Sequence, residues 1–470
     1  MEKIISERKL RKGDEIILEI KSLAFGGLGL ARHNNQVVFV RGAIPGEKVR
    51  AVISRRKKSY LEALTLETLS SSENFVQPKC RHVKYCGGCV HQHLDYPSQL
   101  HEKQAQVEDI FSRLGGYNID IQPIIGCESI WHYRNKMEFT FSSNVWYEHS
   151  KSAYIPVALG LHVPRRYDKI LDIEECLIQD SVGNDLLELV KEVVFEMKLD
   201  AWHVRKHSGF LRNLVIRRGF NTDEVMLNFV TSEYREDAFI LMVQLLRERF
   251  PQITSIVNNI TARHSGSTQG EQEYILYGEP FFREKLGDFT FEISANSFFQ
   301  TNTHQAEKLY TIVKNECGLT GNEIVYDLFC GTGSISIYLS DMAKEVYGFE
   351  LVQSAVKNAE RNAVINSISN CQFFAGDLMD LFQKDEKLKS LPKPDVMVID
   401  PPRAGMHPKT GPQILELSPQ KIVYVSCNPS TQVRDLNGFT DNGYKLTSVQ
   451  PVDMFPHTPH IETVATLIKK

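Results

Sequence analysis

Residues 323–333 read Glu-Ile-Val-Tyr-Asp-Leu-Phe-Cys-Gly-Thr-Gly, and a second apolar stretch, Ser334–Met342, follows at once. The first six residues have the β-branched and aromatic content of a buried strand. Gly331 and Gly333 let the backbone turn sharply and come close to a ligand, and the next segment has helical character. Downstream the same rhythm repeats. Strands are predicted at Glu345–Phe349, Gln372–Phe374, Asp395–Ile399 and Lys421–Ser426, with helical segments such as Val352–Ile365 between them. This alternation predicts an α/β fold over residues 291–470, a Rossmann-like parallel sheet covered by helices on both faces.

Three strand ends in that domain carry ligand chemistry. The glycine turn closes the first strand. Glu350 stands seventeen residues past Gly333, placed to accept from ribose hydroxyls. Gly376-Asp377 closes the third, where a carboxylate can accept from an adenine amino group. Ligands of such sheets bind outside the carboxyl ends of the strands. A dinucleotide site wants a third glycine three residues after Gly333, but Ser336 stands there. Asp327, just before the glycines, suits a cationic ligand end. S-adenosylmethionine is therefore the expected cofactor, ahead of NAD.

The fourth and fifth strands run into Asp400-Pro401-Pro402-Arg403-Ala404-Gly405 and Ser426-Cys427-Asn428-Pro429. The paired prolines stiffen a wall beside one carboxylate. A thiol at the end of a parallel strand, one strand from the glycine turn, lies near any methyl donor bound there and reads as a nucleophile. Methylation of C5 of uracil needs one: thiolate addition at C6 makes C5 nucleophilic, and a base must then remove the C5 proton. His457, His460 and Glu462 are the candidate bases, and Glu462, between a proline-rich turn and the apolar run Val464–Ile468, is the one whose burial is expected.

The remaining chain has a different character. At 470 residues it is long enough for about three domains, and 42% hydrophobic with 24% charged residues is ordinary for a globular protein. No stretch is apolar enough to span a membrane, and the N-terminus lacks a signal-like apolar core. A cytoplasmic location is expected. Residues 1–69 hold 14 Lys/Arg against 8 Asp/Glu, a balance of +6 in a chain of net −4, which hints at a nucleic-acid-facing module. Asp14–Lys21, Gln36–Val40, Glu47–Ser54 and Tyr60–Leu69 read as strands of a small barrel of oligonucleotide-binding type, with Arg55-Arg56-Lys57-Lys58 in a turn within reach of phosphates. Residues 70–290 read as a separate α+β domain, with a helix at Pro97–Leu114.

Nine cysteines without an export signal argue against a disulfide framework. Cys80, Cys86 and Cys89 lie within ten residues around Gly87-Gly88 and need a fourth ligand. By spacing, zinc (with His82, His91 or His93) and an iron–sulfur cluster are equally acceptable.

Taken in order, Asp-Leu-Phe-Cys-Gly-Thr-Gly, Asp-Pro-Pro-Arg-Ala-Gly, Ser-Cys-Asn-Pro and His-Ile-Glu-Thr-Val resemble the motifs of the RNA (uracil-5)-methyltransferase family. The resemblance covers nearly the whole chain. Gly26-Gly27-Leu28-Gly29 and Val38–Glu47 resemble its N-terminal TRAM domain, an RNA-binding β-barrel. The family implies Cys427 as nucleophile and Glu462 as general base. It also implies cofactor contacts at Gln300, Phe329, Ser334, Glu350, Asp377 and Asp400. Thr301 stands where the family often has Val, and Ser334 where Asn is common. One branch carries a [4Fe–4S] cluster on this cysteine spacing plus a distant cysteine, which implies Cys80, Cys86, Cys89 and Cys176, with Cys127 the rival. The resemblance further implies that the helix near 97–114 packs on the catalytic domain. The expected substrate is RNA, 23S ribosomal RNA ahead of the transfer-RNA T-loop, and the expected state is a monomer. Two other readings are an amino-group methyltransferase, which needs no thiol, and an RNA-binding protein with a relic cofactor fold.

Overall fold

In the computed structural model, residues 10–147, 154–263, 268–377 and 390–470 are described. The C-terminal sheet has seven strands, in the spatial order Cys371–Ala375, Glu345–Glu350, Ile324–Leu328, Val396–Ile399, Lys421–Ser426, Glu462–Lys469, Tyr444–Val452. The first five are parallel, and Glu462–Lys469 runs antiparallel between its two neighbours. The order reverses beside Ile324–Leu328, which creates the crevice where such sheets bind ligands. The central strands are buried on both faces, as their unbroken apolar runs require. The helix Thr303–Cys317 covers one side. Asn302 caps it by accepting from the Gln305 amide, and Gly318 ends it in the left-handed region. The segment expected as one helix to Met342 is shorter, Ser334–Leu339.

The N-terminal six-stranded sheet runs in the order Glu15–Glu19, Lys48–Arg56, Tyr60–Ser70, Gln36–Arg41, Leu28–His33, Ser22–Ala24. Its alternating inward residues, among them Ile16, Leu18, Val38, Val40, Val49 and Leu61, build a separate small core. The basic run differs from expectation: Arg55 and Arg56 continue the strand, and only Lys57 and Lys58 leave it. Strand pairing with Leu61 and Glu62 outweighs the local charge density there.

The central sheet has eight strands, ordered Gln272–Gly278, Ile253–Ile260, Val225–Thr231, Leu211–Arg218, Lys136–Ser142, Ala158–Val163, Arg166–Asp172, Val145–Trp146. Ser181–Glu196 and Glu236–Arg249 supply helices. One strand–helix–strand unit hides in it, since Val225–Thr231 and Ile253–Ile260 pair in parallel on either side of Glu236–Arg249.

The segment expected at 97–114 is an α-helix, Tyr96–Asp109, that continues as a π-turn, Ile110–Leu114. Val107 and Phe111 share an apolar core with Tyr326, Met397 and Val433 of the C-terminal sheet and its helices. Lys103 donates to Asp453 at 2.7 Å, with both side chains buried. Removing either partner would strand a buried charge, so this pair pins the segment to the loop that carries the end of the chain.

Candidate active site

The C-terminal strand ends carry the candidate groups along one edge of the sheet, where Gly331, Thr332 and Glu350 line a cavity of about 550 Å³. After Ile324–Leu328 the chain enters Phe329 at φ 66°, left-handed and rare for an aromatic residue. Gly333 sits at φ 77°, and a Cβ there would lie 2.9 Å from Ala359 and 3.0 Å from the Phe373 ring. Only glycine fits. Glu350 accepts from the amides of Gly331 at 3.1 Å and Val352 at 3.0 Å, so it holds the glycine turn. Ser334 opens the next helix and its hydroxyl lies 3.0 Å from that of Tyr310. Asp377 is exposed just beyond Cys371–Ala375. Gln300 is buried ahead of Thr303–Cys317, and its carbonyl accepts from the Asn135 amide nitrogen of the central region.

Two carboxyls make this end of the cleft unusual. Burial pushes Asp327 up to about 7, opposed by the Ser336 hydroxyl at 2.6 Å. Burial and then Asp327 push Asp400 up to about 7. Asp327 Oδ1 is buried with no hydrogen-bond partner. A buried, unpartnered carboxylate oxygen is costly unless a donor or cation meets it. A cationic ligand end such as that of S-adenosylmethionine would supply that partner, so the residues fit the cofactor.

Cys427 and Glu462 are 35 positions apart in sequence, and the sheet brings them together. Ser426 pairs with Thr463 across antiparallel strands, which leaves Cys427 and Glu462 facing each other one step beyond. Cys427 is half-buried; burial and then the Glu462 charge push its thiol up to about 11, while Arg403 pulls it down. Glu462 is buried and held well above the usual carboxylate range by burial and then by Asp400, again with Arg403 opposing. Asn428 caps the helix Pro429–Thr440 and donates to the Arg403 carbonyl at 3.2 Å. That bond locks the cysteine turn to the Asp-Pro-Pro-Arg wall.

The histidines part company. His457 is buried, stacks on Trp131 with ring centroids 4.0 Å apart, and lies beside Gln99. It packs two segments together. The Nδ1 of His460 lies 3.3 Å from an Arg403 guanidinium nitrogen. Two contributors escaped the sequence. Tyr310 senses the charges of Asp400, Asp327 and Glu462, yet nothing marks it among the apolar positions of its helix. Arg403 was visible inside its motif, but its role as counter-charge appears only in three dimensions.

Cys80, Cys86, Cys89 and Cys176 line one cavity of about 400 Å³. Burial raises each thiol, Cys86 to about 11 and Cys89 to about 12, and Cys86, Cys89 and Cys176 each sense Cys80. Cys127 faces elsewhere, donating to the Asp453 carbonyl at 3.0 Å. Among the described residues no three His, Cys, Asp or Glu side chains converge tightly enough for a single metal ion. A four-iron cube holds its sulfur ligands farther apart than one ion does, and an all-thiol donor set around a shared cavity fits such a cluster.

Residues 95–470 match the model of the tRNA (uracil-5-)-methyltransferase family, and residues 9–66 match the TRAM domain. The chain belongs to the RNA (uracil-5)-methyltransferase family. It is 41% identical to an uncharacterized RNA methyltransferase of Chlorobaculum tepidum, over 98% of this chain and 97% of that one. It is 39% identical to another from Bacteroides thetaiotaomicron, over 95% and 99%. The structure of the Pyrococcus abyssi tRNA (uracil-54, C5)-methyltransferase with S-adenosyl-L-homocysteine superposes with a TM-score of 0.74 at 29% identity, covering 96% of this chain and all of that one. This protein is thus an S-adenosylmethionine-dependent RNA methyltransferase with an N-terminal TRAM β-domain. Among the described residues no helix is long and apolar enough to cross a membrane.

Proposed function

We propose that this methyltransferase modifies C5 of a specific uridine through a transient bond between Cys427 Sγ and C6 of the base. The observation that carries the reading is the register-enforced meeting of Cys427 with Glu462, flanked by Arg403 and Asp400. S-adenosylmethionine, when bound, supplies the electrophilic methyl group. Asp327 and Asp400 would hold its cationic end, Glu350 and Asp377 would take the ribose and adenine side, and Gln300, Phe329 and Ser334 would complete the contacts. Cys427 loses its proton to solvent, helped by the Arg403 guanidinium, and the thiolate adds to C6; it takes a proton back when it leaves at the end. C5 then takes the methyl. Glu462, as carboxylate, removes the C5 proton; the C5–C6 double bond re-forms, the sulfur leaves, and one proton is released overall. The target base must leave its stack, because the sulfur and the methyl approach its ring face.

Cys80, Cys86, Cys89 and Cys176 would hold a [4Fe–4S] cluster. Held there, it would cross-link the segment around residue 80 to Cys176.

Incubation with RNA carrying 5-fluorouridine tests the mechanism, since fluorine at C5 cannot leave as a proton. A covalent protein–RNA adduct is expected. No adduct, or one that survives Cys427→Ala, defeats it. The first substrate to try is 23S ribosomal RNA. A second reading, transfer RNA, is favoured by the likeness to the Pyrococcus enzyme. Mapping 5-methyluridine in both RNAs, with and without this gene, separates them.

A further inference from the structure

Tyr133-Arg134-Asn135 leads into the strand Lys136–Ser142 and is tied to two segments that bear on the active site, the one carrying Gln300 and the loop running into Glu462. Asn135 is buried. Its backbone amide donates to the Thr301 carbonyl at 3.0 Å, and its side-chain nitrogen donates to the Gln300 carbonyl and the Thr303 hydroxyl, each at 2.9 Å. Tyr133 is buried too, and its hydroxyl donates to the Pro456 carbonyl at 3.0 Å. Arg134 therefore stands between two anchored neighbours, on a backbone that has little freedom left to lose when a ligand binds.

Arg134 itself is half-buried and under-used. Its Nε donates to the Lys136 carbonyl at 3.0 Å, and among the described residues its two terminal nitrogens have no hydrogen-bond or ion-pair partner. Lys136, by contrast, is paired with Glu138 at 2.6 Å. The Arg134 guanidinium carbon lies 5.9 Å from the centre of the Phe455 ring, and Phe455 meets the His460 ring edge-on at 6.0 Å. The Nδ1 of His460 in turn lies 3.3 Å from an Arg403 guanidinium nitrogen. One file of contacts thus joins Arg134 to the arginine whose charge bears on both Cys427 and Glu462. Arg134, Lys136, Thr301, Thr458 and His460 also line the cavity of about 400 Å³ that the four thiols share.

We propose that Arg134 anchors a phosphate next to the target uridine of the RNA, in the cavity that it shares with Thr301 and His460. A planar guanidinium with its two terminal nitrogens unspent matches two oxygens of a phosphodiester, and burial strengthens such a pair. A base drawn out of its stack brings its own flanking phosphates with it, so an anion must be met close to the thiol that attacks the ring. The rival partner is the anionic cluster that the four thiols would hold. Phe455 favours the RNA, because it seats the guanidinium against the loop that runs into Glu462. This inference rests on the proposed uridine chemistry and names the grip that holds the substrate beside it.

The test measures binding of the full-length protein to transfer RNA and to 23S ribosomal RNA fragments across a salt series. Arg134→Gln is expected to weaken binding about tenfold. It should also flatten the slope of log affinity against log salt by about 0.7, the share of one single-strand phosphate contact. Arg134→Lys, a second variant that keeps the charge without the fork, should restore the slope and only part of the affinity. In both variants the KM for RNA should rise, while iron content and affinity for S-adenosylmethionine stay as in the wild type. Replacing one phosphate beside the methylated uridine by an uncharged methylphosphonate should cost the wild type about tenfold and Arg134→Gln little. An unchanged slope, or equal losses in the two proteins at every flanking phosphate, overturns the anchor; iron lost with the slope unchanged reassigns the guanidinium to the cysteine cavity. A slope that falls as expected in a protein that transfers no methyl group would sink the proposed function and leave the anchor standing.

Discussion

Cys427 and the cysteines around residue 80 are chemically the same group in similar half-buried settings, and burial raises the thiol in both. Their neighbours differ. Cys427 senses a guanidinium and two carboxyls at a strand end, whereas Cys80, Cys86, Cys89 and Cys176 share one cavity and Cys86, Cys89 and Cys176 sense neighbouring cysteines. A thiol beside a cation and a base is arranged to exchange a proton and a bond with a visiting base. Four thiols around one cavity would suit a shared cationic centre. Burial alone says neither; the sign and identity of the nearest groups decide.

The sharpest way to break that contrast is Cys427→Ala. Methyl transfer from labelled S-adenosylmethionine to RNA is expected to fall by at least on the order of 10³-fold. Activity within tenfold of wild type would move the chemistry to amino-group methylation, which needs no thiol. Glu462→Gln comes next, with a loss on the order of 10²- to 10⁴-fold. Because only release is blocked, an adduct on ordinary uridine RNA should accumulate on denaturing gels in this variant and be absent from Cys427→Ala.

Cofactor affinity sharpens the cleft side. Asp327 and Asp400 are pushed up to about 7 when nothing pairs with them, whereas a cationic ligand favours their ionised forms. Binding therefore releases protons below that pH. Calorimetry should show affinity for S-adenosylmethionine falling as pH drops from 8 to 6, by up to about tenfold per unit for each group involved. Asp400→Asn should bind more weakly at pH 8 and show a flatter profile; a profile that is flat in the wild type would remove these carboxyls from the site.

The smallest effect belongs to the cysteine cavity. Cys89→Ser should lose bound iron and lower the thermal midpoint by about 5 °C or more, on the scale of a lost cross-link. Cys127→Ser should keep its iron, since that thiol faces Asp453. Equal iron content in both variants would erase the distinction between the two cysteines.

Much of this was legible in the residues. Strands such as Lys421–Ser426 occupy their expected positions because continuous apolar runs between turn residues leave a parallel sheet few alternatives. The glycine turn and Glu350 were readable because backbone approach and strand-end position follow from local sequence. The basic run at 55–58 misled, since half of it is strand, with pairing overriding charge density. Tyr310 gave no signal, because helical periodicity cannot tell a core tyrosine from one whose hydroxyl reaches a cofactor cleft.

By itself, the order of residues determined the doubly wound C-terminal half, the acidic strand ends and the presence of a strand-end thiol, because each depends on neighbours a few positions away. Tertiary structure alone decided that Glu462 meets Cys427, that Arg403 acts as a charge on both, and that Cys176 rather than Cys127 joins the other three thiols around one cavity. Those pairings span tens of positions, and such distances are closed by strand register and core packing, which no short stretch of sequence encodes.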